Sequence, residues 1–131
     1  ATTPSLTAST TVTREWIATG DRSVPAVETE VTARARFVWS PSTRALQYSV
    51  NVYGVRDDEV LFMDLHRGQT GKVGPVVVSL PKSQTGRVSG TVILGAEDRD
   101  LLEAGDLYFD VHTRDHFTGA VRVQLDGLLS P

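Results

Sequence analysis

From Thr10 onward this chain alternates apolar and polar residues with a period of two, and almost nowhere with the period of a helix. Successive side chains of an extended strand leave on opposite faces, so such a run can bury one face and wet the other only as β-structure. The alternation is clearest in Glu30–Trp39, where Val31, Ala33, Ala35, Phe37 and Trp39 share one face and Thr32, Arg34 and Arg36 the other. After the turn SPSTR, Ala45–Val55 sets Leu46, Tyr48, Val50 and Val52 opposite Gln47, Ser49 and Asn51, so the two segments are expected to form a hairpin with one wet face.

The same reading places strands at Thr11–Ala18, Glu59–His66, Gly86–Leu94, Asp106–His112 and Gly119–Leu125, with a short buried strand in PVVVSL at 75–80. GDRSVPAV and RGQTGKVG carry glycine or proline punctuation and are loops. AEDRDLLEAG, 96–105, is the one helical turn, acidic at its start and stopped by Gly105. About eight short strands separated by turns predict an all-β fold, a Greek-key β-sandwich or barrel of antiparallel strands. A length of 131 residues, 40% of them hydrophobic, suits a single domain over 1–131, with the hydroxyl-rich residues 1–9 as a flexible tail.

Composition removes several kinds of chemistry. A net charge of −3 offers no basic field to a polyanion, so neither nucleic acid nor an anionic membrane surface is an expected partner. No apolar run approaches the ~20 residues of a membrane-spanning helix, so no membrane insertion is expected. With no cysteine there is no disulfide, no thiolate nucleophile and no sulfur-ligated zinc. The small, uncharged N-terminal run without an initiator Met is what an exported chain looks like after loss of its signal peptide, so a secreted or periplasmic location is expected.

Strand phase then makes a claim about chemistry. If the apolar faces point inward, Asp64 with His66, Asp110 with His112, and Arg122 with Gln124 all lie on the outer face. The three histidines of the chain are His66, His112 and His116. D-L-H at 64–66 and H-T-R-D-H at 112–116 are spacings that let two side chains reach one ion, the second by a turn folding back. Imidazole-rich, thiolate-free ligation suits copper or zinc better than calcium or magnesium. The candidate metal ligands are therefore His66, His112, His116 and Asp64; the residues alone leave open three unrelated surface histidines. Asp57 with Asp58, and Asp98 with Asp100, read as turn and helix-start residues. Ser79 and Ser89 have no histidine near them in any motif, and Trp16 and Trp39 read as core or barrel-end aromatics.

From about Trp16 to Leu125 the chain resembles the CHRD domain, the module named after chordin and also found alone in secreted bacterial proteins. The resemblance rests on VPAV at 24–27, LQYSVNVYGV at 46–55, D-L-H-R-G-x-x-G-x-x-G-P-V-V-V-x-L at 64–80, GDLYFDVHT at 105–113 and HFTGAVRVQL at 116–125. Family members commonly carry H-I-H where this chain has Asp64, Leu65 and His66, and an asparagine where it has Asp110. A more distant likeness, H-x-H, glycine loop, G-P, V-H and a later G-x-x-R strand, is to the copper half of Cu/Zn superoxide dismutase. That likeness implies a superoxide-dismutase-like Greek-key sandwich, with His66 and His112 as copper ligands, His116 as a further one, and Arg122 as the catalytic anion guide. Asp64 then completes the site, orients a ligand, or marks a site that holds copper less well. The implied cofactor is copper, zinc less so, and the implied substrate superoxide. The alternatives are a non-catalytic extracellular module binding a protein ligand, through the face from Arg34 to Asn51, and a copper carrier.

Overall fold

The structure, a computed structural model, describes residues 11–81 and 87–128; the tail expected at 1–9 lies outside the described residues. The strands are β1 (Val12–Ala18), β2 (Thr32–Ser40), β3 (Ala45–Tyr53), β4 (Val60–Arg67), β5 (Val76–Leu80), β6 (Arg87–Ile93), β7 (Leu107–Thr113) and β8 (Val121–Gln124), with the helix α1 (Ala96–Ala104) between β6 and β7. They build two antiparallel sheets of four strands, ordered β1-β2-β3-β6 and β5-β4-β7-β8. β3 pairs with β6 over two intervening strands and β4 with β7 in the same way, which is the Greek-key pattern.

The alternation decides the sandwich. Ala33, Ala35, Phe37 and Trp39 of β2, Leu46 and Val50 of β3, Met63 and Leu65 of β4, and Phe109 and Val111 of β7 are all fully buried between the sheets. Phe37 meets Phe109 edge-on across the core at 6.0 Å, and the half-buried Trp16 leans on the other side of Phe37 at the same centroid distance. Each buried Val, Leu, Met or Phe among them stabilises the fold by about 1.5–3 kcal/mol through burial alone, and each alanine by less. The outward residues stay wet: Arg34 meets Glu15 of β1 at 3.2 Å with both side chains about half exposed, a contact of little energetic weight.

Helix α1 packs Leu102 inward and accepts a hydrogen bond at Glu103 from Trp39 Nε1, 3.2 Å away. It ends where expected, because Gly105 takes the left-handed conformation at φ 81° and its N–H bonds back to Leu101 and Leu102 carbonyls. At one side of the sandwich Thr19 and Arg122 exchange two backbone hydrogen bonds of 3.3 and 3.1 Å, tying the end of β1 to β8 and closing that seam between the sheets.

One element departs from expectation. PVVVSL forms a strand, but it is not buried: β5 is the outer strand of its sheet, Val76 is 50% exposed, and of its five residues only Leu80 is buried. A short run of β-branched residues favours extended backbone wherever it lies. Whether it sits in the middle of a sheet or at the edge depends on pairing that the run itself does not encode.

Candidate metal centre

β4, β7 and β8 are neighbours, and their register lays the polar residues in rows across the face turned away from the core. Phe62 stands opposite His112; Asp64, Asp110 and Arg122 form the next row; His66, Tyr108 and Gln124 form the third. Every second residue of each strand must share this face, so D-x-H in β4 and D-x-H in β7 bring two carboxylates and two imidazoles together.

This outer face is not wet. Asp64, His66, Asp110, His112 and Arg122 are only 3–8% exposed, because the loops 68–75 and 114–120 fold back over the sheet. His66 Nδ1 lies 2.9 Å from the carbonyl of Gly74, and His112 Nδ1 lies 2.7 Å from that of Phe117. A carbonyl oxygen only accepts, so both rings carry their proton on Nδ1 and donate it there. Both Nε2 atoms then face the carboxylates. His66 Nε2 is 3.0 Å from Asp110 Oδ1 and 3.8 Å from Asp64 Oδ2; His112 Nε2 is 3.0 Å from Asp110 Oδ2 and 3.7 Å from Asp64 Oδ2. The last ring nitrogen is buried and has no hydrogen-bond partner, its 3.0 Å contact lacking hydrogen-bond geometry.

Two neutral imidazoles with lone pairs aimed at two buried carboxylates repel one another. The arrangement is stable only if the Nε2 atoms gain protons or a cation enters between them. The donor atoms of all four side chains lie within 4.8 Å of one another. Four ligands at metal bonds of 2.0–2.1 Å stand roughly 3.3 Å apart in a tetrahedron and about 4 Å apart across a square, so these side chains need only close inward a little to share one ion. Asp64, His66, Asp110 and His112 can thus hold one metal ion, and two carboxylates with two neutral imidazoles balance a divalent one.

The electrostatics agree with this. For His66 and His112 burial is the largest single influence and opposes charge, but the contact with Asp110 and its negative charge outweigh it, so both pKa values are raised. Asp64 is pushed up by burial and by the neighbouring Asp110 carboxylate. Burial also works to raise Asp110, yet its contacts with His112 and His66 prevail and its pKa is lowered. Without metal the site therefore attracts protons to the nitrogens that metal would take.

Groups around the ligands hold them in place. Tyr108 lies parallel to the His66 ring with centroids 4.7 Å apart, and Phe62 stacks on His112 at 4.2 Å. Arg122 covers Tyr108, its guanidinium carbon 3.5 Å from the ring centre, and donates to the carbonyl of Gln69 at 3.0 Å. Gln124 donates to the carbonyl of Gly68 at 2.6 Å, so the loop over the site is pinned by His66, Arg122 and Gln124 together. Gly74 has no alternative residue: a Cβ there would fall 1.7 Å from the backbone oxygen of Arg67. Beside the ligands opens a cleft of about 310 Å³ walled by His66, Asp110, His112, Tyr108 and Arg122 on the sheet, and by Ser23, Val24, Pro25, Val73, Thr118 and Gly119 from the loops.

Of the residues singled out from the sequence, the structure brings Asp64, His66 and His112 together and sets Arg122 in the wall of the same cleft. It places His116 elsewhere, in a separate hollow with Thr29, Glu30, Gly54, Glu59 and Asp115. The turn after β7 is held by the His116 N–H donating to Thr113 Oγ1 at 3.2 Å, and it carries the Phe117 carbonyl, not the His116 ring, toward His112. Asp110, seen in the sequence only as an outer-face neighbour, stands between both imidazoles. The signal for it was present in the repeat of D-x-H spacing in β4 and β7.

A model of the CHRD domain matches residues 15–125. No curated protein and no solved structure matches the chain significantly. The family match spans most of the chain, including every strand that carries a ligand, and the chain belongs to the CHRD family.

Proposed function

We propose that this protein is an exported CHRD domain that binds one copper ion through His66, His112, Asp110 and Asp64, and that the centre reacts with a small anion, superoxide first among them. The observation that carries the reading is the pair of imidazoles, each locked through Nδ1 to a backbone carbonyl and turned through Nε2 toward shared carboxylates. Such carbonyl bonds fix ring orientation and raise ligand basicity, as they do for histidines that ligate metals. Mixed nitrogen and oxygen donors suit Cu(II) and Zn(II), with copper favoured by the stability order of divalent ions.

When bound, copper supplies one-electron chemistry at a fixed position. The chain does the rest: Asp110 and Asp64 neutralise the ion, the stacked Tyr108 and Phe62 keep both rings from turning, and loop 68–75 keeps bulk water from the sheet face. Arg122 is the positive group of the cleft wall and attracts an anion toward the ligands. A carrier that holds copper without turnover is the second reading. The two carboxylates favour it, because hard oxygen donors stabilise Cu(II) over Cu(I) and so hinder cycling.

Titrating metal-free protein with Cu(II) should saturate at about one ion per chain and produce a d–d absorption band, and His112→Ala should abolish both. Unchanged uptake in that variant would refute the site. Superoxide consumption by the loaded protein then separates the enzyme from the carrier.

A further inference from the structure

Two polar groups line the cleft beside the ligands, one hydrogen-bonded through a single nitrogen and one with no hydrogen-bond partner among the described residues. Arg122 is 4% exposed, yet no carboxylate lies within ion-pair distance of it among the described residues. Its hydrogen bonds, to the Gln69 carbonyl at 3.0 Å and to Gln124 Oε1 at 3.3 Å, both leave from one terminal nitrogen and end on neutral oxygens. Burial is costly to this cation; the Tyr108 ring beneath it and the Asp110 carboxylate, beyond ion-pair distance, offset part of that cost, and an incoming anion adds to the offset. Ser23, at the end of the short turn Gly20–Arg22, is also buried, and its hydroxyl has no hydrogen-bond partner. Both residues line the same cleft.

The rest of the cleft is larger than a diatomic anion needs. Its volume of about 310 Å³ reaches the range of small organic ligands. Val24, Pro25 and Val73 form its loop-side wall, and Val24 and Val73 are 40% and 69% exposed, apolar surface left for something to cover. We propose that the cleft binds a small organic monocarboxylate, its two oxygens received by the Arg122 guanidinium and the Ser23 hydroxyl and its hydrocarbon body lying against Val24, Pro25 and Val73. A guanidinium presents parallel donors matched to the two oxygens of a carboxylate, and a single charge on the ligand answers a single charge on the protein. The inference rests on the proposed metal centre in one respect: a divalent ion offsets Asp64 and Asp110, which would otherwise repel the ligand, so copper and carboxylate should each strengthen the other's binding.

Calorimetric titration of copper-loaded and metal-free protein with sodium acetate, propionate and butyrate tests this. Affinity should rise about fourfold with each added methylene as the apolar wall is covered. It should be higher for the loaded protein. Arg122→Gln should lower the affinity for all three acids by about tenfold or more, and Ser23→Ala by about fivefold. Should Arg122→Gln fail to fold, Ser23→Ala and Val73→Asp, the latter at an exposed loop position, carry the test, and both should weaken binding. Equal affinity for acetate and butyrate, or butyrate binding indifferent to Ser23→Ala and Val73→Asp, overturns the proposal. Copper uptake is read separately: a protein that takes no copper but binds butyrate through these residues refutes the metal reading alone, and one that takes copper but ignores chain length refutes this inference alone.

Discussion

Replacing Gly74 with alanine is a one-methyl change outside the ligand set, and it should disable the centre. The new Cβ would lie 1.7 Å from the Arg67 carbonyl oxygen, whereas ordinary contact begins at 3.4 Å, so the two backbones must part by about 1.7 Å. The Gly74 carbonyl accepts the His66 Nδ1 proton at 2.9 Å, and a displacement of that size takes it beyond hydrogen-bond reach. Three consequences follow. A buried imidazole N–H loses its acceptor, at a cost of about 1–3 kcal/mol. For a chain of this length that is a fall in Tm of roughly 4–12 °C. The His66 ring loses the anchor that aims Nε2 at Asp110, and lost anchors of this kind lower metal affinity about 10–100-fold. Competition against a chelator of known Cu(II) affinity, with thermal melts of the metal-free protein, reads both effects. Wild-type copper affinity in Gly74→Ala would show that the carbonyl does not hold the ligand, and the orientation argument would fail.

Three further outcomes are expected. Asp64→His exchanges an oxygen donor for nitrogen, so it should raise the Cu(II)/Cu(I) potential, by ~59 mV for each tenfold gain in relative Cu(I) affinity, and increase superoxide turnover; voltammetry showing no upward shift would contradict it. Arg122→Ala should retain one copper per chain but consume superoxide several-fold more slowly, and an unchanged rate removes Arg122 from the reaction. The third concerns pH: the raised pKa values of His66 and His112 give the metal-free fold stability that is fully present below the unfolded value of 6.5 and lost as pH rises through the folded values. The raised Asp64 pKa acts in the same direction at lower pH, and the lowered Asp110 pKa contributes stability above its unfolded value of 3.8 that is lost in stronger acid. Metal-free protein should therefore melt at lower temperature at pH 8 than at pH 6, while copper uptake weakens as pH falls and protons compete for Nε2. A Tm that rises between pH 6 and 8 in chelator would refute this.

Much of the fold could be read directly. Ala33, Ala35, Phe37 and Trp39 alternate with Arg34 and Arg36, and the four are wholly buried, because strand geometry leaves one face for every second residue. The end of α1 at Gly105 was equally legible, since only a residue without Cβ takes the left-handed turn at no cost. The same phase rule put Asp64, His66, Asp110, His112 and Arg122 on one side of their strands. It did not say that this side would be covered, and the outer face of a sandwich is ordinarily solvated. That required loop 68–75 to return over the sheet, a path that needs glycine at 74, where a Cβ would strike the Arg67 carbonyl, and leaves little room for one at 68.

What the sequence determined, then, is local: the period-two pattern, the faces it assigns, and the residue types placed on them, because those depend on neighbours one or two positions away. The tertiary structure decided which rows line up. His116, four residues from His112, looked like its partner, yet the turn it belongs to delivers a backbone carbonyl and sends the ring to another hollow. Asp110, forty-four residues from His66, lies 3.0 Å from it because β4 and β7 are adjacent in register. Pairing between strands is set by the packing of two whole sheets around a shared core, and no stretch of either strand carries that information by itself.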